Sequence, residues 1–143
     1  MNETTTKQEH REIIIDGKHA IMGRLASYSA KQALFGKKVV ILNAGEVIIL
    51  GSKNDIVAKY IQRIKKGGSS MKGPKIVRTP EKILKRTIRG MLPHKQGRGR
   101  EALKRVRCYN KVPKEYENTK KIIGGKEKHS KFITLNELVN LIK

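Results

Sequence analysis

Lys82, Lys85, Arg86 and Arg89 recur at i, i+3, i+4 and i+7, the spacing that lines cations along one face of an α-helix. Fixed positive charges with no carboxylate among them neutralise and hold phosphate oxygens. Cations continue on both sides of this stripe. The segment KKGGSSMKGPKIVR places Lys65, Lys66, Lys72, Lys75 and Arg78 among glycines, which let a backbone approach a phosphate closely. The segment KQGRGREALKRVR repeats that composition with Lys95, Arg98, Arg100, Lys104 and Arg105. Residues 62–111 hold seventeen Lys and Arg against two acids, Glu81 and Glu101, and so carry +15 of the chain's +21. One charge run is ordinarily a solvated face. Two basic loops flanking a basic helix face point to nucleic acid. No helix-turn-helix, zinc finger, heptad dimer or RRM-type aromatic pair is visible, which favours backbone contacts to structured RNA.

Other chemistries lack their machinery. His10, His19, His94 and His129 are scattered, and none stands at metal-ligand spacing from Cys108 or from another histidine, so no metal is expected. Cys108 falls in a predicted strand and reads as a small buried hydrophobe; His94 is its only nearby partner for nucleophilic work. Glu12, Asp16, Glu46 and Asp55 are too dispersed for an acid–base pair. The run DGKHAIMGRLAS follows the first strand, where a phosphate loop would sit, but has neither a G-x-G-x-x-G nor a Walker pattern. Gly124-Gly125-Lys126 resembles a phosphate-loop ending only superficially and reads as loop geometry. No cofactor, catalytic residue or small-molecule substrate is expected.

The stripe must be carried by a helix over about 79–92. Thr79 suits the N-cap, Pro80 the first turn, and Pro93 stops it. Ile83, Leu84, Thr87, Ile88, Met91 and Leu92 form its apolar side. Upstream, Glu12–Ile15 reads as a strand buried on both faces and 24–35 as a helix with Leu25, Ala26, Ser29, Ala33 and Leu34 inward. Lys38–Leu42 completes a βαβ unit with a parallel pair. Glu46–Leu50 follows too closely for a crossover, so a hairpin with the preceding strand is expected. A second helix follows, with Ser52 as cap, Asp55 at the capping-box position and Ile56, Val57, Tyr60, Ile61 and Ile64 inward. A short helix over 99–104, a strand over 106–109, an irregular lysine-rich 110–131 and a Thr134-capped terminal helix complete the chain. Residues 1–10 read as a mobile tail, and 143 residues as a single domain. The class is α/β, three-layer α/β/α, with a small, mostly parallel sheet and basic helical and loop extensions. No apolar run approaches the ~20 residues of a membrane span, so no membrane partner is expected. One cysteine rules out an internal disulfide and suits the reducing cytoplasm.

Several segments resemble one family in the same order. They are IDGKHAIMGRLAS, the NAGEVIILGSK run from Asn43 to Lys53, and RGMLPHKQGRGREALKRVRCY within Ile88 to Tyr109. Together they look like ribosomal large-subunit protein thirteen, the universal L-thirteen family. The insert KKGGSSMKGPKIVRTPEKILKRTIRGMLP is similar to its archaeal and eukaryotic branch, as is the C-terminal ITLNEL. The likeness covers about 12–113. It departs at Cys108 and Asn110, where an aliphatic residue and a glycine are expected, which leaves the end of that strand open. The resemblance implies a four-stranded, largely parallel sheet, no catalysis, binding to large-subunit ribosomal RNA, neighbouring ribosomal proteins as partners, and a place in the cytoplasmic large subunit early in its assembly. It also adds Arg24, within its shared Gly-Arg-Leu-Ala, to the thirteen phosphate contacts taken from the charge map. The rival readings are an RNA-binding regulator outside the ribosome and an enzyme with a Rossmann-like core acting on RNA or a nucleotide.

Overall fold

The computed structural model describes residues 11–66, 70, 73, 75–126 and 130–143. The expected tail at 1–10 lies outside these, as do Gly67 and Gly68, where the sequence also suggests an end to the second helix. Strand β1 (Glu12–Asp16), helix α1 (Met22–Leu34) and strand β2 (Lys38–Leu42) form the expected βαβ unit, with Ile13 opposite Val39 and Ile15 opposite Ile41 in a parallel ladder. Gly36 ends the helix region at φ +87, a conformation that suits glycine. Strand β4 (Val106–Cys108) joins β2 on its other side, and β5 (Ile122–Ile123) joins β1. The four-stranded sheet is therefore parallel throughout, in the order β4-β2-β1-β5.

One face of that sheet, with Ile15, Val39, Ile41 and Val106, is continuous with the main core. Helix α1 covers it together with α3 (Pro80–Gly90) and α4 (Gly97–Lys104). Val40 and Leu42 point to the other face and are also buried. The connection from β4 to β5 crosses between opposite sheet edges over this face. It carries Tyr116, whose hydroxyl donates to Glu12 at 3.1 Å and whose ring lies 6.1 Å from that of Tyr109.

Several expectations are corrected. Strand β3 (Ile48–Leu50) makes no hairpin with β2; it pairs antiparallel with β6 (Phe132–Thr134), just before helix α5 (Leu135–Ile142). The reason is that both ladders of β2 are taken, by β1 and β4. Asn43, at φ 55, and a 3-10 turn over Ala44–Glu46 lead the chain out of the sheet and shorten the expected strand. Segment 110–131 is not wholly irregular, since it contains β5 and a 3-10 turn over Lys114–Tyr116. β1 is fully buried only at Ile15, because β5 reaches no further than Ile15 and Asp16. Leu34 is exposed while Ala30 is buried. Ser52 makes no side-chain cap hydrogen bond to helix α2 (Lys53–Ile64). Nor does Thr79 cap α3; its hydroxyl is buried with no hydrogen-bond partner among the described residues. Thr134 does cap α5, accepting from the Glu137 N–H at 3.3 Å.

Candidate nucleic-acid interface

The basic helix forms where expected, and its two sides separate cleanly. Ile83, Leu84 and Ile88 are buried, whereas Lys82, Arg86 and Arg89 are exposed and Lys85 is half-buried. Met91 falls just beyond the helix and is exposed, unlike the expectation, because the chain turns there before Leu92 returns to the core. Proline at the first turn removes no needed donor, and the packing of α3 on α1 and β4 holds the apolar side.

The cationic side does not face open solvent alone. It forms one wall of a cleft of about 830 Å³. Lys82, Lys85, Arg86 and Arg89 line that wall, α2 contributes Lys59 and Arg63, and Lys75 enters from the preceding loop. No carboxylate lines the cleft among the described residues. Between the cations lie Ile49, Leu50, Ile76, Val77 and Tyr60. The Arg63 guanidinium sits 5.4 Å from the centre of the Tyr60 ring. Burial pushes the Tyr60 hydroxyl above its ordinary pKa, with Arg63 and Arg86 pulling it back, so at neutral pH it keeps its proton.

Of the residues expected from the sequence, Lys75, Lys85, Arg86 and Arg89 come together in this cleft. Lys65, Lys66 and Arg78 are exposed near its ends in sequence but do not line it, and Lys72 lies outside the described residues. Arg24 is exposed in the first turn of α1. Lys95, Arg98, Arg100 and Lys104 are exposed on α4 and the turn before it, a second basic surface. Lys104 shares its charge with Glu101 at 3.2 Å. Arg105 has a structural task as well: it is half-buried and donates to the Ala33 carbonyl oxygen at 3.0 Å, near the end of α1. Sequence reasoning passed over Lys59 and Arg63. Their i, i+4 spacing either side of Tyr60 was the available signal, hidden by attention to the apolar side of the same helix.

The glycines of this region differ in kind. A side chain at Gly99 would run into the Pro93 carbonyl group and His94, so this glycine allows α4 to pack on the turn before it. It is buried, and no phosphate is needed to explain it. Gly90 is exposed at the end of α3 and lines the cleft; a methyl group there would meet nothing within 4 Å, and its φ is not positive. Gly90→Ala should therefore leave the free protein's melting temperature unchanged or raise it, since Gly costs roughly 1 kcal/mol against Ala in a helix. It should at the same time weaken RNA binding, because the methyl group narrows the cleft. A lowered melting temperature would contradict the first expectation and unchanged RNA affinity the second.

The rival enzymatic features are accounted for structurally. Cys108 is packed against the core, and burial pushes its thiol up to about 12, with Lys85 opposing. A thiol of that pKa is no nucleophile at neutral pH. His94 turns its Nδ1 to the Arg89 and Leu92 carbonyl oxygens, at 3.2 and 3.3 Å, at the end of α3. The crevice past the carboxyl ends of β1 and β5, where an open α/β sheet would take a ligand, is filled. Gly124 donates its N–H to the Asp16 carbonyl at 3.0 Å, and Gly125 packs on His19 so closely that a side chain would collide with its backbone. Asp16 itself accepts from Asn43 Nδ2 at 2.9 Å and from the Lys18 N–H at 3.1 Å, which stitches the turn shut. Among the described residues no group of His, Cys, Asp and Glu could hold a metal ion, and no helix is long and apolar enough to cross a membrane.

A family model described as Ribosomal protein L13 matches residues 10–115. Among curated relatives, the large ribosomal subunit protein uL13 of Methanocaldococcus jannaschii is 47% identical over 128 residues, covering 87% of this chain and 93% of its own. That of Haloarcula marismortui is 41% identical over 131 residues, covering 89% and 88%. That of Caenorhabditis elegans is 47% identical over 115 residues, 79% of this chain, and the aligned part spans 57% of the worm protein. The matched span runs from β1 past β4 and takes in both walls of the basic cleft, and relatives from archaea and an animal agree with it. The chain belongs to the ribosomal protein L13 family.

Proposed function

We propose that this protein is a non-catalytic constituent of the cytoplasmic large ribosomal subunit that binds ribosomal RNA, mainly through phosphates, and supports subunit assembly. The observation that carries the reading is the cleft between α2 and α3, where seven cations line one concavity without a carboxylate among its described residues. Such a surface binds an anion of high linear charge density and relieves the self-repulsion of a chain at +21. The exposed cations of α4 offer a second contact, so two RNA segments that repel each other could be held by one protein. Arg24, Lys65, Lys66, Lys72, Lys75, Arg78, Lys85, Arg86, Arg89, Lys95, Arg98, Arg100, Lys104 and Arg105 remain the proposed contacts, joined by Lys59, Arg63 and Lys82. Neighbouring ribosomal proteins are the remaining partners.

The test is salt dependence. The logarithm of affinity for ribosomal RNA should fall linearly with the logarithm of salt concentration, each phosphate contact adding roughly 0.7–0.9 to the slope. Arg86→Ala in the cleft and Arg98→Ala on α4 should each reduce that slope by about one unit. A slope near zero would reject phosphate binding. Co-sedimentation with large subunits in high salt separates the ribosomal role from an RNA-binding role elsewhere.

A further inference from the structure

Charge alone does not account for the floor of the cleft. Leu50 is 46% exposed and Val77 47% exposed, both in the midst of cations. Phosphate oxygens gain nothing from aliphatic surface, whereas the face of a nucleobase does. The Tyr60 ring and the Arg63 guanidinium above it add the two kinds of surface on which unstacked bases settle. The Tyr60 hydroxyl keeps its proton and can donate it to a base edge. The volume, about 830 Å³, falls in the roughly 300–1,000 Å³ range of pockets that enclose small organic groups. A paired A-form helix keeps its base faces stacked and cannot offer them to such a floor.

We infer that the cleft between α2 and α3 takes an unpaired segment of RNA, with a splayed base on the Leu50, Val77 and Tyr60 floor and its phosphates on the cationic walls. The inference rests on the RNA-binding reading above and adds to it a choice of single-stranded over duplex RNA at this site. The occupant is nucleic acid because the walls are uniformly cationic; an apolar peptide would have to be strongly acidic to tolerate them.

The test compares the full-length protein with Val77→Ser and, separately, Leu50→Ser, each of which removes aliphatic surface from the cleft without adding charge or a ring. Both positions are half-exposed, so the surface removed belongs to the cleft rather than the core, and thermal melting verifies the fold of each. Two probes are titrated: an eight-nucleotide oligouridylate, and inorganic polyphosphate of similar charge, which has no bases. Both variants should bind the oligouridylate about ten-fold more weakly, with the salt slope unchanged, and should bind polyphosphate as the unaltered protein does. Unchanged affinity for the oligouridylate would overturn the base site while leaving phosphate binding standing. So would an equal loss for both probes, which marks a disturbed cleft rather than a lost base contact. Normal oligouridylate binding with failure to join large subunits would assign the cleft to an acidic protein partner and likewise overturn it. If the unaltered protein binds neither probe, phosphate binding itself fails and the base site fails with it.

Discussion

Ile88→Ala should destabilise the free protein by about 2–5 kcal/mol, the cost of losing a buried aliphatic side chain and leaving a cavity. Ile88 has no exposed surface and lies in the main core with Ile83 and Leu84, under a helix that packs on both α1 and β4. The site has little room to collapse, because α3 is held between sheet and helix. Native domains are stable by only about 5–15 kcal/mol, so this one change would remove a large share of the total. Urea unfolding should show a lower midpoint at unchanged m-value. RNA affinity measured well below the melting temperature should be nearly intact, since Ile88 does not line the cleft. A cost under 1 kcal/mol would mean that α3 is not anchored as its burial indicates.

The double change Lys85→Glu with Arg89→Glu should do the reverse. Arg89 is exposed and Lys85 half-buried, and neither makes an ion pair among the described residues. Removing two cations from a region of +15 relieves repulsion. At Lys85 this is offset by placing a carboxylate four residues after Glu81, which is mildly unfavourable on a helix. The melting temperature should therefore stay close to that of the unaltered protein. Incorporation into large subunits should be abolished, because two carboxylates on one wall would face phosphates in a cleft whose charged residues, among those described, are otherwise all cationic. Sucrose-gradient sedimentation with subunits, beside thermal melts of the free protein, reads both outcomes. Normal assembly would reduce the α3 stripe to a solvated face and leave the function to the glycine-rich loops.

Together these two substitutions test a division already present in the order of residues along α3. Period-3.6 spacing puts Ile83, Leu84 and Ile88 on one side and Lys82, Lys85, Arg86 and Arg89 on the other, whatever the rest of the chain does. For the same reason the βαβ unit was legible: Lys38–Leu42 is a compact β-branched run, and Gly36 marks the helix end that precedes it. The family likeness rested on contiguous segments, which need no fold to be seen. Met91 and Leu34 went astray because periodicity continues in the residues after the backbone has left the helix or the core has ended.

What the chain alone determined was local: where helices and strands form, which of their sides is apolar, and that residues 62–111 concentrate positive charge. Partners far apart in sequence were decided only by the tertiary structure. β2 takes β4, more than sixty residues on, and so has no ladder left for β3, which waits for β6 near the C-terminus. Two-residue β5 carries too few side chains to show a period and exists only because β1 offers it an open edge. The cleft is of the same kind. Lys59 and Arg63 gain meaning once α2 and α3 line one cleft, and Leu50 and Val77 share a surface only because the end of β3 and the loop before α3 line that same cleft. Charge is a property of residues and could be counted in advance, but concavity is a property of packed elements and had to be seen.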